Sequence, residues 1–331
     1  MRNLFILTTL FCLMTFSCKS NTSDTEFVKE KSDSLLTSLY PSGEPGAALL
    51  ILKGDTVIIE KGYGVANMES KELIDFNTFF NIASVSKQFS AIAILMLEQD
   101  GKLSLEDNLK KWFPEFESPL MEKITLKHLL SHTSGIPDSR DRKDRNFVLT
   151  ANDTQSYAYI GRLKELNFEP GSEYEYMNPT FQLLYTIIER ASGIGFDRFM
   201  KSRIFEPSGM VNTTYFEKEK KIPNMAHGYR YKEDDKVFEE YDYGEESFFA
   251  TKADGGIYTS VREFVLWEKA IRNNILISNE IKEVAHKPKV EVKEIPNTFY
   301  GFGWFIEEKP GLPVKDRKST RLNSSHGKLP R

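Results

Sequence analysis

The sequence predicts a mixed α/β fold of the α+β type: an antiparallel sheet flanked by helices, with a helical insertion. Three observations predict it. Ala47 to Leu52 and Thr56 to Glu60 are apolar runs joined by Lys53-Gly54-Asp55, the pattern of a hairpin near the start. Capped helical segments crowd the middle. Tyr300 to Glu307 alternates glycine and aromatics, which reads as a strand near the end. Strands at both ends with helices between imply one α/β domain closed by both ends of the chain, 35–110 with 250–315, interrupted by a mainly helical domain over 111–249. The 331 residues suffice for one large domain or two small ones, and they contain no internal repeat.

Composition narrows the function. The chain is 40% hydrophobic and 28% charged, ordinary for a soluble globular protein. A net charge of −4 and a pI near 5.9 give nucleic acid nothing to bind. The five histidines are scattered and form no cluster with zinc spacing, so neither a metal nor another cofactor is expected.

The N-terminus carries an address. Arg2 precedes an apolar run from Leu4 to Phe16, which is shorter than the roughly 20 residues a spanning helix needs. A basic start, a short apolar core and a small residue before a cut describe a signal peptide over 1–17. Cys18 directly after Ser17 resembles the lipidated cysteine of a bacterial lipobox, although Thr15 stands where leucine is usual. The expectation is an exported lipoprotein of the cell envelope, held to the membrane through Cys18. Ordinary signal cleavage is the alternative. Cys12, the other cysteine, lies inside the signal, so the mature chain has no internal disulfide.

The elements follow in order. Polar residues 18–34 look like a tether, and Ser34 to Tyr40 like a helix end. The hairpin at Ala47 to Glu60 comes next, its first strand apolar enough to be buried. Ala91 to Leu97 is apolar on nearly every side of a helix, so that helix is expected to be buried, and Gly101 stops it. Leu103 to Asp107 reads as a short helix capped by Ser104, with Asp107 three residues on. Ile124 to Leu130 is a helix capped by Thr125 and followed by the loop Ser131 to Pro137. Asp138 to Asn146 is a charged surface run. Thr180 to Ala191 is a helix stopped by Gly193, and Phe196 to Ile204 is another. Met210 to Phe249 shows no strong period. Ala253 to Ser260 is a glycine turn with a short strand, and Val261 to Arg272 is an amphipathic helix.

Chemistry concentrates at Ala83-Ser84-Val85-Ser86-Lys87-Gln88-Phe89. In a helix, residues three apart share a face, so Ser84 and Lys87 point the same way. A helix start also offers unpaired N–H groups and the positive end of the dipole. A serine hydroxyl becomes a nucleophile when a base takes its proton, and a desolvated lysine can serve. The bland alternative is a capping serine beside a solvated lysine. The Ser-x-x-Lys pattern alone does not choose, since Ser325 to Lys328 repeats it.

Several further motifs stand in a fixed order: Leu129 to Pro137, Tyr176-Met177-Asn178, Gly255-Gly256-Ile257-Tyr258 and Tyr300 to Trp304. Together with Ser84-x-x-Lys87 they resemble the penicillin-recognising serine hydrolases, in the branch of class C β-lactamases, D-alanyl-D-alanine carboxypeptidases and related esterases. The resemblance runs from about Gly46 to Ile306. It implies a β-lactamase/transpeptidase-like fold. It also implies that Ser84 is acylated, that Lys87 is its partner, that Tyr176 shuttles protons to the leaving group, and that Asn178 donates to the substrate amide carbonyl. The Ser84 N–H would be one oxyanion donor. His132 belongs to a structural signature loop by the same resemblance, and His227 is expected at the surface.

The family's third motif, Lys-Thr-Gly or His-x-Gly, does not occur in the chain. Lys309-Pro310-Gly311 has its outline, but proline cannot donate to a strand ladder. Asp316 to His326 corresponds, codon by codon, to the translation of a common sequencing adapter. The expectation is that 316–331 is foreign to the natural gene. The sequence thus points to an exported serine hydrolase acting through an acyl-enzyme on a small-molecule or peptide amide or ester: a β-lactam, a D-alanyl peptide or a small ester. The alternatives are a non-catalytic protein of the same fold that binds peptidoglycan or peptide, or an inactive fragment.

Overall fold

A computed structural model describes residues 20–140, 144, 147, 150–217, 220–240 and 250–307. The signal segment, Cys18 and the adapter-like tail lie outside these residues, as do most of the charged run 138–146 and the Lys309-Pro310-Gly311 outline. Among the described residues no helix is long and apolar enough to cross a membrane.

The fold is the expected mix of helices and antiparallel strands. Helix α1 spans Ser20–Leu39, and strands β1 (Ala47–Lys53) and β2 (Thr56–Tyr63) form the hairpin. Its register runs from Ala47 opposite Tyr63 to Lys53 opposite Thr56, with an irregularity at Ile51/Leu52. Gly54 turns it at φ +60, a conformation that only glycine adopts freely. Strand β1 is half-buried along its length rather than buried. The stretch read as a tether is instead helical. Its middle, Glu26 to Lys31, holds two glutamates and two lysines, which lose little side-chain freedom in a helix. Asp33 docks it by accepting from Lys61 Nζ (2.6 Å) and the Tyr63 hydroxyl (2.9 Å).

Strand β3 (Phe80–Asn81) leads through a 3₁₀ turn, Ala83–Ser86, into α2, Lys87–Gln99. As its sequence implies, α2 is the core helix: Phe89 and Ala91 to Leu95 have no exposed surface. Gly101 ends it at φ +67. The helix expected at Leu103 to Asp107 is a turn. Asp107 Oδ2 accepts from the Ser104 N–H, while the carbonyls of Leu105 and Asp107 take N–H groups from Lys127 and Leu126. Tertiary pairing thus claims the backbone that a helix would have used. Helix α3 follows one step later, over Leu109–Trp112, capped by Asn108.

Helix α4 (Leu126–Leu130) starts with the Thr125/His128 capping box, and α5 (Asp153–Tyr157) with Asn152. Helix α6, Asn178–Ser192, packs its Leu183, Leu184, Ile187 and Ile188 into the core and stops at Gly193 with φ +75. Helix α7 (Phe196–Phe199) runs on into a π turn over Met200–Phe205. Within the region 111–249 the described helical elements end at Phe205. Beyond it lie β4 (Thr214–Tyr215) and a hairpin of β5 (Tyr229–Lys232) and β6 (Val237–Glu240). This hairpin is held by charge and by one aromatic pair: Glu239 meets Arg230 and Lys232, and Tyr231 packs on Phe238 at 5.0 Å. Such a ribbon carries no apolar alternation to read. His227, expected at the surface, is half-buried; Asn67 and Glu240 approach its two ring nitrogens at 3.1 and 2.8 Å.

Strand β7 (Ile257–Thr259) lies between β3 and β4, and α8 (Val261–Arg272) leaves it from a Ser260 cap. Helix α9 (Asn279–His286) precedes strands β8 (Val290–Glu291), β9 (Thr298–Tyr300) and β10 (Phe305–Glu307), paired in the order β10-β9-β8. Tyr300 to Glu307 is therefore a turn and two strand ends, not one strand. The Gly301 N–H donates to the Trp304 carbonyl, and Gly303 turns at φ +85. A Cβ on Gly303 would stand 3.1 Å from the Lys87 carbonyl, so this turn sits directly on the first turn of α2.

Candidate active site

Ser84 lies in the 3₁₀ turn, not in the first turn of α2 as its sequence suggests. The turn is fixed from both sides. Asn81 Oδ1 accepts from the Ala83 N–H (2.8 Å) while its Nδ2 donates to the Gly255 carbonyl (3.2 Å). The Ile82 N–H donates to the Ile257 carbonyl, and the Ile257 N–H donates to Ser86 Oγ. Ala83 is held at φ +43, a left-handed conformation unfavourable for alanine and of the kind that gathers at functional sites. The pairing of β3 with β7 thus presents Ser84 half-buried at a bend.

Lys87 is 1% exposed, which removes the solvated-lysine alternative. A buried amine needs partners. Lys87 Nζ has three: Ser84 Oγ at 3.3 Å, Asn178 Oδ1 at 2.9 Å and the Asp254 carbonyl at 2.8 Å. An ammonium has three protons, and three acceptors use them all. A neutral amine has two, which Asn178 and Asp254 can take, leaving its lone pair toward Ser84. The arrangement accommodates both states that a proton acceptor must visit.

Tyr176 and Asn178 are delivered by the approach to α6. Asn178 and Pro179 occupy its first positions, where a missing N–H costs nothing. Lys87 thus takes the Oδ1 end of Asn178. Tyr176 is 38% exposed, and its ring centroid lies 5.1 Å from Lys87 Nζ. Tyr300 and Phe305 wall its far side, at 6.4 Å between centroids in each case. The structure therefore brings together all four residues that the sequence singles out: Ser84, Lys87, Tyr176 and Asn178. The Asp254 carbonyl is the partner that sequence motifs missed, because a backbone acceptor leaves no residue signature.

His132 holds the delivery segment in place. It is 1% exposed, and its Nδ1 accepts from the Met177 N–H at 3.2 Å. Its carbonyl accepts from the Glu175 N–H, and its ring packs on Tyr176 at 4.4 Å. Burial, and then the charge of Lys87, hold this imidazole well below the ordinary histidine range. It is a neutral acceptor, in keeping with the structural role implied for its loop. We expect His132→Leu to slow acylation of Ser84 by about a hundredfold through misplacement of Tyr176. His132→Asn supplies a substitute acceptor and should lose less. Stopped-flow labelling rates check both. The linkage has a definite sign. Unfolded histidine takes up a proton near pH 6.5, and the folded one resists it. Stability is therefore whole above pH 6.5 and falls as the pH drops below it, a slope that His132→Asn should reduce in acid denaturation.

Among the described residues no group of three or more His, Cys, Asp or Glu is placed to hold a metal ion.

Comparison with known proteins identifies the family and the fold. The beta-lactamase family model matches residues 35–326. Penicillin-binding protein 4* of Bacillus subtilis is 29% identical over 288 residues, covering 83% of this chain and 63% of the relative, so the chain spans under two thirds of that protein's length. The solved penicillin-binding protein of Bacillus halodurans superposes with a TM-score of 0.72 at 26% identity, covering 87% of this chain and 84% of that one. The D-amino acid amidase of Ochrobactrum anthropi gives 0.66 at 25% identity, covering 80% and 75%.

Proposed function

We propose that this chain, which belongs to the beta-lactamase family, is an exported serine hydrolase that forms an acyl-enzyme on Ser84. The observation that carries the proposal is the buried Lys87 amine, 3.3 Å from Ser84 Oγ and otherwise held by two fixed acceptors. In the proposed reaction Ser84 Oγ attacks the carbonyl of an amide or ester. Its proton passes through Lys87 and Tyr176 to the leaving nitrogen or oxygen as that bond breaks. Water then attacks the ester on Ser84 and releases the acid. Asn178 Nδ2 would hold the substrate's amide oxygen. Substrates of the class are β-lactams, D-alanyl peptides and small esters. The likeness to a D-amino acid amidase favours amides next to a D-configured centre, and the likeness to a penicillin-binding protein supports β-lactams.

A serine-directed fluorophosphonate tests the assignment. The protein should be labelled once, at Ser84, and Ser84→Ala should abolish labelling. Labelling that persists in that variant would remove Ser84 from the mechanism.

The cellular address is part of the proposal. Support comes from the basic start, the short apolar run and Cys18. Cys18→Ala should move the protein from the membrane fraction into soluble or uncleaved material, because the lipid supplies the affinity. Unchanged membrane recovery on fractionation would leave ordinary cleavage or a different attachment.

A further inference from the structure

Asn178 and Gln182 stand one turn apart on α6 and so share a face. Asn178 takes a hydrogen bond from Lys87. Gln182 is 2% exposed, and its Nε2 donates to Asp254 Oδ2 at 3.0 Å. The backbone carbonyl of the same Asp254 accepts from Lys87 at 2.8 Å. These bonds close a ring: Lys87 to Asn178, along α6 to Gln182, across to the Asp254 side chain, and through its backbone back to Lys87.

The Asp254 segment depends on such side-chain ties. Its flanks are fixed by Asp153, which accepts from the Lys252 and Ala253 N–H groups (2.7 and 3.1 Å), and by Ser90 Oγ, which donates to the Ala253 carbonyl (2.6 Å). Asp153 is 2% exposed, and burial, then the charge of Asp254, hold its carboxyl well above the usual range. Asp254 itself is 6% exposed, with Oδ1 lacking a protein partner, and Gln182 Oε1 lacks one too. The buried carboxyl is tied by Gln182 and feels the charge of Arg140. Nothing in local structure requires it, since the carbonyl that meets Lys87 would be present with any residue at this position.

Building on the proposed function, we infer that Gln182 and Asp254 are positioning residues for Lys87: their side-chain bond fixes the carbonyl that orients the Lys87 amine toward Ser84. The clamp, not the negative charge, does this. Asp254→Asn can keep an acceptor for Gln182 Nε2 and gains a donor for the unpartnered Gln182 Oε1. Gln182→Met keeps the volume and the charge but loses the bond.

The test reads the rate of Ser84 phosphonylation in folded protein, with the far-UV spectrum as the folding check. Gln182→Met should slow labelling by about tenfold or more, the scale expected when a reacting group is misplaced rather than removed, and Asp254→Asn, which keeps an acceptor for Gln182, should lose less than Gln182→Met. A length swap, Gln182→Asn with Asp254→Glu, restores the reach between the two side chains and should recover most of the rate; it serves also if Gln182→Met does not fold. In a Lys87→Ala background Gln182→Met should have no further effect, because it acts through Lys87. Parent-rate labelling by folded Gln182→Met would overturn the inference, as would an undiminished effect without Lys87 or failure of the length swap to recover the rate. Absence of labelling in the parent protein would instead defeat the Ser84 assignment, so the two failures are distinguishable.

Discussion

On the proposed function, Lys87→Ala and Tyr176→Phe should each lower the acylation rate of Ser84 by at least about a hundredfold, the usual scale for a lost acid/base group. The geometry argues for an effect on rate more than on binding. Lys87 is walled off from solvent, and its three partners are all protein groups, so it has no surface to offer a substrate. Removing it also leaves the Asp254 carbonyl and Asn178 Oδ1 without their donor, which costs about 1–3 kcal/mol of stability per buried group. That cost is separable, because it appears in the denaturation midpoint and the lost proton transfer in the rate. Tyr176→Phe keeps the ring against His132 and Phe305 and deletes only the hydroxyl. It should therefore leave the midpoint nearly unchanged while slowing acylation. Single-turnover labelling of both variants decides the matter: acylation at the parent rate in both would end the proton-shuttle account.

The site was more legible in the sequence than the fold around it, for a physical reason. In the proposed reaction Ser84, Lys87, Tyr176 and Asn178 are chemical requirements, and the spacing of Ser84 from Lys87 follows from one turn of backbone. Where the sequence misled, tertiary contacts had overruled a local signal. The bend at Ala83 comes from pairing with β7, not from its own propensity. The Ser104 turn spends its backbone carbonyls on the segment at Leu126. The β5–β6 hairpin hides because ion pairs, not an apolar stripe, hold it. Asp254 was invisible as a site residue because its role in holding Lys87 runs through its backbone, and only the packing of α6 against α2 brings Gln182 to it.

Phe89→Ala should be the most damaging single substitution in the core, at about 3–5 kcal/mol. Phe89 has no exposed surface and sits two residues beyond Lys87 on α2. Its ring stacks on Trp267 of α8 at 3.9 Å and meets Phe205 and Phe264 at 6.0 and 6.4 Å. Truncation forfeits the transfer energy of the ring and leaves a cavity. It also breaks an aromatic stack worth about 0.5–1.5 kcal/mol beyond its area. The surroundings have little freedom to collapse into the gap. Trp267 is tethered by its Nε1 donating to Gln88 Oε1 at 2.7 Å, and Gly303 rests against the backbone of Lys87 and Gln88. Against a total stability of about 5–15 kcal/mol, such a loss is large. Urea denaturation should show the midpoint falling with the slope unchanged, since the surface exposed on unfolding hardly differs. Phe89→Leu fills most of the space and should lose about half as much, on the pattern of partial cavities. A loss below about 1 kcal/mol for Phe89→Ala would mean that α2 and α8 can close over the gap. Lys87, two residues away on α2, would then move with them, and the labelling rate of Ser84 should fall even where stability does not.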